Sequence, residues 1–562
     1  MIIAFYLFLA LMKIVCSIPN INNKILQLFP KRNEPTSFET CYGDLGCIEV
    51  TQQWYHDDYR PINVEPLSRF VIRTEFVLYT LPNGVQKDRH HLDFEIISSK
   101  GQSLEKSRFD GKSDIIILIH DFTSNGYTGW IKHISASILS DHKRNVIAVD
   151  WQSGAEPPYE QAVANARVVA LEIIALLNCI KSKFGMGGEK IHIIGHGVGA
   201  HIAGYVGESA KQIKKITGLD PSGPYFEGMP NFVRLDPSDA TYIEVIHTDY
   251  YSTDSQGTCD HLGHRDFFVN GPHRQPGCND SSSNLNLVAV ERNNLKQGQI
   301  LPGCSHKRSF KYYIESIEVT NCKFIGFSCE DFNTFTEGAC SCESTGVFSL
   351  DSYESNAQQQ DKGLYLLTNG IRPYCVIPYK LVMRLSNFTR ASEHLSGYIE
   401  VLFKGNSIDV VNGSSYLHRK SQTFSKGEKK ELLIYGDPPQ ITSFKEVQMK
   451  WVKTGIKVCP ELVCQSSLFV ENIRITQLPA TSANWAKLCP DSGDTELKDR
   501  YYHTFKPCEE MTEKRSYMER DIYDDFGHET TKTASDKEEE NDEEILPTEE
   551  NSETSDMENQ ED

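Results

Sequence analysis

No basic patch interleaved with aromatic residues occurs in the 562-residue sequence, so nothing in it suggests a nucleic-acid partner. No group of cysteines and histidines has zinc-ligand spacing. No segment repeats, which argues against stacked-repeat architectures. The apolar run at residues 2–15 is too short and too early for a membrane span. Lys13 is the only charge before Asn20, and Val15 and Ser17 occupy the small-residue positions that precede a signal-peptidase cut. The expectation is a signal peptide at residues 1–17, a secreted mature chain and no transmembrane segment after its removal. A retained N-terminal anchor is the alternative.

Secretion changes how the sixteen cysteines are read, because an oxidising compartment favours disulfides over metal thiolates. Loss of Cys16 with the signal leaves an odd number, so one thiol stays free or pairs between chains. Cys41 with Cys47, Cys459 with Cys464, and Cys489 with Cys508 are plausible local bridges. N-x-[ST] sequons at Asn279, Asn387 and Asn412 fit a glycosylated surface. The charge is concentrated at the end of the chain. Residues 509–562 carry 22 acidic against 5 basic residues, a balance of −17, and the remainder is nearly neutral.

Hydrophobic residues make up 39% of the chain, enough for a large core and two or three domains. Asp114 to His120, Arg144 to Asp150 and Lys190 to Gly195 are apolar runs suited to strands buried on both faces. Between the last two, Tyr159 to Phe184 has helical spacing, which makes a strand–helix–strand unit and a mostly parallel sheet. Lys323 to Pro373 reads as a polar, cysteine-rich connector. Beyond it, period-two segments such as Tyr379 to Leu385, Gly397 to Phe403, Glu431 to Tyr435, Glu446 to Val452 and Ser467 to Ile475 predict an antiparallel β-sandwich. Residues 509–562 are too polar to offset their ordering entropy and read as a disordered tail, with a role in holding calcium or a basic partner as the alternative.

The informative segment is Gly195-His196-Gly197-Val198-Gly199, where a buried strand runs into a small-residue helix. That is the setting of a nucleophile elbow, G-x-S-x-G, with glycine in place of serine. Taken alone, the motif equally suits a glycine-rich turn for a nucleotide. The downstream residues decide between them. A short apolar strand ends in Asp220, and His306 precedes a helix, the order in which an α/β-hydrolase places its acid and its histidine.

At these residues the chain resembles the pancreatic lipase family, the vertebrate pancreatic, hepatic and lipoprotein lipases and their invertebrate relatives. The matching stretches include Leu118 to Phe122, Val149 to Trp151, Gly195 to Gly199, Ile216 to Pro221, Val233 to Asp239, Val245 to Asp249, Gly263 to Phe268 and Cys304 to His306, in family order from Cys41 to Cys508. The resemblance implies an α/β-hydrolase domain with a mostly parallel sheet at residues 18–372, connector included. A PLAT-like β-sandwich follows at 373–508, and the tail lies outside the resemblance. It assigns Asp220 as the triad acid, His306 as the triad base, and the backbone N–H groups of Phe122 and Val198 as the oxyanion hole. Asn231, Arg234, Asp236 and Asp239 match the family's structural Ca2+ site; the family has glutamate at the first position but uses its carbonyl there. Two carboxylates at short spacing suit calcium, and a solvated acidic turn is the alternative. Cys278 and Cys304 match the cysteines that clamp the family's lid, with 285–295 as a partly amphipathic cover or an ordinary surface loop.

Two departures bear on activity. Gly197 stands at the nucleophile position, and Asp121 stands where the family usually has glycine before the oxyanion-hole aromatic. A carboxylate there opposes the charge that the hole stabilises. His196 is shared with active members and offers no substitute nucleophile. The expectation is a silent ester-hydrolase scaffold that binds lipid or, through the PLAT-like domain, a protein partner. The alternatives are an active triacylglycerol lipase or phospholipase A1 with another nucleophile, and a yolk- or storage-type protein.

Overall fold

The computed structural model describes residues 37–508 apart from 83–91, 101, 142, 251–254, 272–273, 279–302, 320, 337, 339, 341–344, 355–357, 359–362, 389–393, 405–420, 437–443, 445, 455–466, 479–484 and 492. The signal peptide, the sequons at Asn279 and Asn412, the cover at 285–295, the pair Cys459 and Cys464, and the acidic tail therefore lie outside the described residues.

A small hairpin of β1 (Phe38–Cys41) and β2 (Cys47–Val50) opens the described chain. It is followed by β3 (Glu75–Thr80), β4 (Asp93–Ile97), β5 (Ile115–Ile119), β6 (Asn145–Asp150), β7 (Ile191–His196), β8 (Lys215–Leu219), β9 (Tyr242–His247), β10 (Arg265–Val269), β11 (Ile325–Cys329), β12 (Thr345–Val347) and β13 (Gly363–Leu366). These eleven strands form one sheet in the order β12-β11-β13-β10-β9-β8-β7-β5-β6-β3-β4. Pairing is parallel from β6 through β13 and antiparallel at both ends.

Strands β5, β7, β8 and β9 are buried along their whole length, because helices cover both faces of the sheet. On β5, Ile116 and Leu118 pack on one side with α1 (Gly129–Asp141) and α4 (Arg308–Glu318). Ile115, Ile117 and Ile119 pack on the other with α2 (Tyr159–Phe184) and α3 (Val198–Ala210). Each such isoleucine removed from water contributes about 1.5–3 kcal/mol. Helix α2 follows Pro158 and stops at Gly185, which takes φ 69° as a left-handed cap. It is long and apolar enough to cross a membrane, but most of its apolar window is buried inside the protein.

One expectation needs correction. The stretch from Lys323 to Pro373 is not merely a connector, since it supplies β11, β12 and β13 to the sheet. Cys329–Cys340 forms within it and Cys322–Cys375 closes across its two ends, neither of which local spacing had paired. Short strands interrupted by glycine and cysteine carry little periodic signal, and pairing with β10 fixes them.

The sandwich comprises β14 (Ile377–Leu385), β15 (His394–Lys404), β16 (Gln422–Ser425), β17 (Lys429–Gly436), β18 (Glu446–Lys453), β19 (Leu468–Gln477), β20 (Trp485–Pro490), β21 (Glu496–Leu497) and β22 (Tyr502–Pro507), all antiparallel. Buried positions alternate with half-buried ones on β18 and over most of β14. Leu381, Ile473 and Val470 share a core with Ile399, Val401, Met449 and Trp451. The Cys41–Cys47 and Cys489–Cys508 bridges form as expected. Among the described residues Cys179 is in no disulfide.

Candidate active site

Register brings the site together. Ile119 aligns with Gly195 and His196 with Leu219 across β5, β7 and β8, so Asp121, Gly197 and Asp220 emerge at one sheet edge. The turn between β7 and α3 is an elbow. Gly197 has φ 56° and ψ −119°, in the region that favours glycine. A Cβ on Gly195 would sit 2.2 Å from the Gly199 carbonyl oxygen, and one on Gly199 would sit 2.5 Å from that of Ile119. The spaced glycines thus let α3 begin directly against β5 and β7.

His306 and Asp220 form the expected pair, with His306 Nδ1 2.6 Å from Asp220 Oδ2. Asp220 is fully buried, and its Oδ1 accepts the backbone N–H groups of Thr248 and Asp249 at 2.7 and 3.1 Å. These bonds fix the carboxylate, and the carboxylate fixes the imidazole.

On its other side His306 meets a second carboxylate. Its Nε2 lies 3.1 Å from Asp121 Oδ2, while Asp121 Oδ1 accepts the Val198 N–H at 2.8 Å. That N–H is one of the two assigned to the oxyanion hole, so Asp121 fills the acceptor's position with a resident anion. The same carboxylate takes the nucleophile's space: a Cβ on Gly197 would fall 2.1 Å from Asp121 Oδ1, 2.2 Å from Cγ and 2.6 Å from Oδ2. Gly197 and Asp121 are therefore sterically coupled. A serine at 197 alone collides with Asp121.

The loop that carries Asp121 is well anchored. His120 Nδ1 lies 2.8 Å from the Asp121 carbonyl, the Trp151 backbone N–H donates to His120 Nε2 at 3.0 Å, and the Trp151 indole donates to the His120 carbonyl at 2.9 Å. Phe122 packs edge-on against Tyr159 with centroids 5.1 Å apart.

Electrostatics follow from this packing. Burial opposes charge on His306, but hydrogen bonds and charges from Asp121 and Asp220 outweigh it and push the imidazole up to about 10. Burial would raise Asp121, yet His306, His196 and the Val198 N–H hold it below the usual carboxylate range. The cluster is an imidazolium between two carboxylates. His196 lies against it, with ring centroids 4.4 Å apart and Nε2 3.3 Å from the His306 carbonyl. Burial first, and the neighbouring His306 second, push His196 down to about 4. Sequence reasoning passed over His196 as a residue shared with active members; its place in the elbow motif was the available signal.

Asp236 and Asp239 are both buried around a short 3-10 turn, Pro237–Asp239. Asp236 Oδ1 accepts the Ser238 N–H, and Asp239 Oδ2 accepts the Asp236 N–H, each at 2.9 Å. Burial and then the Asp236 charge push Asp239 up to about 9. Two crowded carboxylates without a cationic side chain between them suit a hard dication. Among the described residues, Arg234 makes no ion pair with either carboxylate; its guanidinium donates to the carbonyls of Met229 and Leu235, and its charge only partly offsets the rise at Asp239. Asn231 opens the turn before it. Cys278 and Cys304 are joined, and Asn387 is exposed.

Comparison with known proteins agrees with this geometry. The lipase family model matches residues 38–374. Pancreatic lipase-related protein 2 of Rattus norvegicus is 32% identical over 77% of this chain and 91% of its own length. Pancreatic triacylglycerol lipase of Equus caballus is 30% identical over 77% and 92%, and that of Homo sapiens is 33% identical over 66% and 78%. With more than half its length matched and two of these relatives covered over nine-tenths of their length, the chain belongs to the pancreatic lipase family.

Proposed function

We propose that this chain is a secreted lipase homologue that does not hydrolyse carboxylic esters and serves as a lipid- or partner-binding protein. One observation carries the reading: the Asp121 carboxylate lies where a serine side chain at 197 would project and holds the Val198 N–H. An acyl carbon at this site meets no hydroxyl nucleophile. The tetrahedral oxyanion it would form meets a carboxylate instead of a free donor. His306, held as an imidazolium, has no basic lone pair for water or an alcohol. Five disulfides among the described residues agree with an extracellular setting.

Asp236 and Asp239, with backbone carbonyls from the Asn231 to Arg234 turn, would hold a structural Ca2+. The ion would supply charge balance to the two buried carboxylates and take no part in hydrolysis.

The test is lipid extraction and mass spectrometry of the purified protein, run beside an ester-hydrolysis assay. Co-purified lipid without turnover supports the proposal, and turnover by the unmodified protein overturns it.

A further inference from the structure

We propose that Asp121, His196 and His306 form a binding site for a divalent transition metal of the zinc class. One ligand atom from each residue lies within 4.8 Å of the other two, and all three residues are buried. Two imidazoles and one carboxylate are the donor set that such borderline cations prefer. His306 Nε2 and Asp121 Oδ2 are 3.1 Å apart, close to the ~3.3 Å edge of a tetrahedron with metal–ligand bonds of about 2.0 Å. His196 needs to close by at most about 1.5 Å to complete that face.

The surroundings resemble those of a prepared metal site. Asp220 binds His306 Nδ1 at 2.6 Å, which fixes the ring and leaves Nε2 as the outward nitrogen. The Val198 N–H fixes Asp121 Oδ1 at 2.8 Å and leaves Oδ2 facing the cluster. Charge also favours a dication. Asp121 and Asp220 are two buried anions against one imidazolium. A metal ion that replaces the Nε2 proton balances both carboxylates.

A second grouping, Asp220 with Asp249 and His306, is the weaker candidate. Asp220 Oδ1 already accepts two backbone N–H groups, and its Oδ2 is engaged by His306. The three ligands of the favoured cluster are separated by as many as 185 positions, so no local motif announces them. Two of them gain the third only because position 121 carries aspartate. The proposal concerns an ion and is independent of what the fold does with lipid.

The experiment is Co2+ titration of chelator-treated, full-length protein, read by visible absorption. The expected result is a saturable spectrum of intense d–d bands from a four- or five-coordinate ion, displaced by Zn2+. Asp121→Asn and His196→Gln each abolish it, with near-UV circular dichroism unchanged. His196→Gln retains the Asp121–His306 ion pair, so the cluster is tested without breaking that contact. Asp220→Asn keeps the three ligands, removes the carboxylate behind His306, and weakens binding roughly 10–100-fold. The proposal is overturned if the wild type gives only the weak absorption of octahedral Co2+ on surface carboxylates. It is equally overturned if the intense bands survive both Asp121→Asn and His196→Gln.

Discussion

Returning serine to position 197 should fail unless Asp121 is removed with it. A Cβ on Gly197 would lie 2.1 Å from Asp121 Oδ1, nearly an ångström inside any tolerated contact, and the obstacle is a carboxylate anchored on both oxygens. Overpacking of this kind costs about 1–3 kcal/mol. If the carboxylate swings out, His306 loses one partner of a buried ion pair, a change that costs about 3–5 kcal/mol. Gly197→Ser alone is therefore destabilised by at least about 1–3 kcal/mol, and while the carboxylate stays in place the oxyanion donor remains blocked. Asp121→Gly with Gly197→Ser removes the collision, frees the Val198 N–H, and lets His306 fall from about 10 toward the ordinary imidazole range near 6.5. The assay is labelling by a fluorophosphonate probe, paired with thermal unfolding. Wild type and Gly197→Ser stay unlabelled, the double variant is labelled, and the double variant melts above the single. Equal labelling of the single and double variants at unchanged stability would refute the occupancy of the serine position by Asp121.

Further outcomes follow from the same contacts. The raised His306 pKa stabilises the fold in full below the free-imidazole value of about 6.5, and that contribution is lost as pH rises through about 10. The lowered Asp121 pKa contributes above the ordinary carboxylate value and is lost as pH falls. The difference in melting temperature between wild type and Asp121→Asn should thus be largest between those limits and shrink toward alkaline pH; a difference that grows toward pH 10 contradicts it. Ca2+ should raise the melting temperature of the wild type, and Asp239→Asn should abolish that rise while leaving the calcium-free protein no less stable, since it removes a crowded carboxylate. Breaking Cys322–Cys375, which spans 53 positions, should cost about 4 kcal/mol against about 2 kcal/mol for Cys41–Cys47, which spans 6, as read by denaturant unfolding. The reverse ranking would count against a chain-entropy origin.

Much of the scaffold was legible in the sequence because its signals are local. Helix α2 spans the residues that helical spacing marked, and β5, β6 and β7 match their apolar runs to within a residue or so. The elbow was legible from its glycines, and Asp220 and His306 from their order. Strands β11 to β13 were not, because their stability comes from distant partners rather than period. The meaning of Asp121 was half legible. Its residue type opposes an oxyanion, but only the register of β5 against β7 shows its carboxylate inside the space that a serine side chain would take. His196 was passed over because family membership explained it before its contact with His306 was visible.

The central claim is that this site does not cleave carboxylic esters. Its most direct test is hydrolysis of emulsified triacylglycerol and phospholipid by the purified wild-type protein with Ca2+ present, measured against His306→Ala as the background. The account predicts no turnover above that background. Fatty-acid release that His306→Ala abolishes would contradict it.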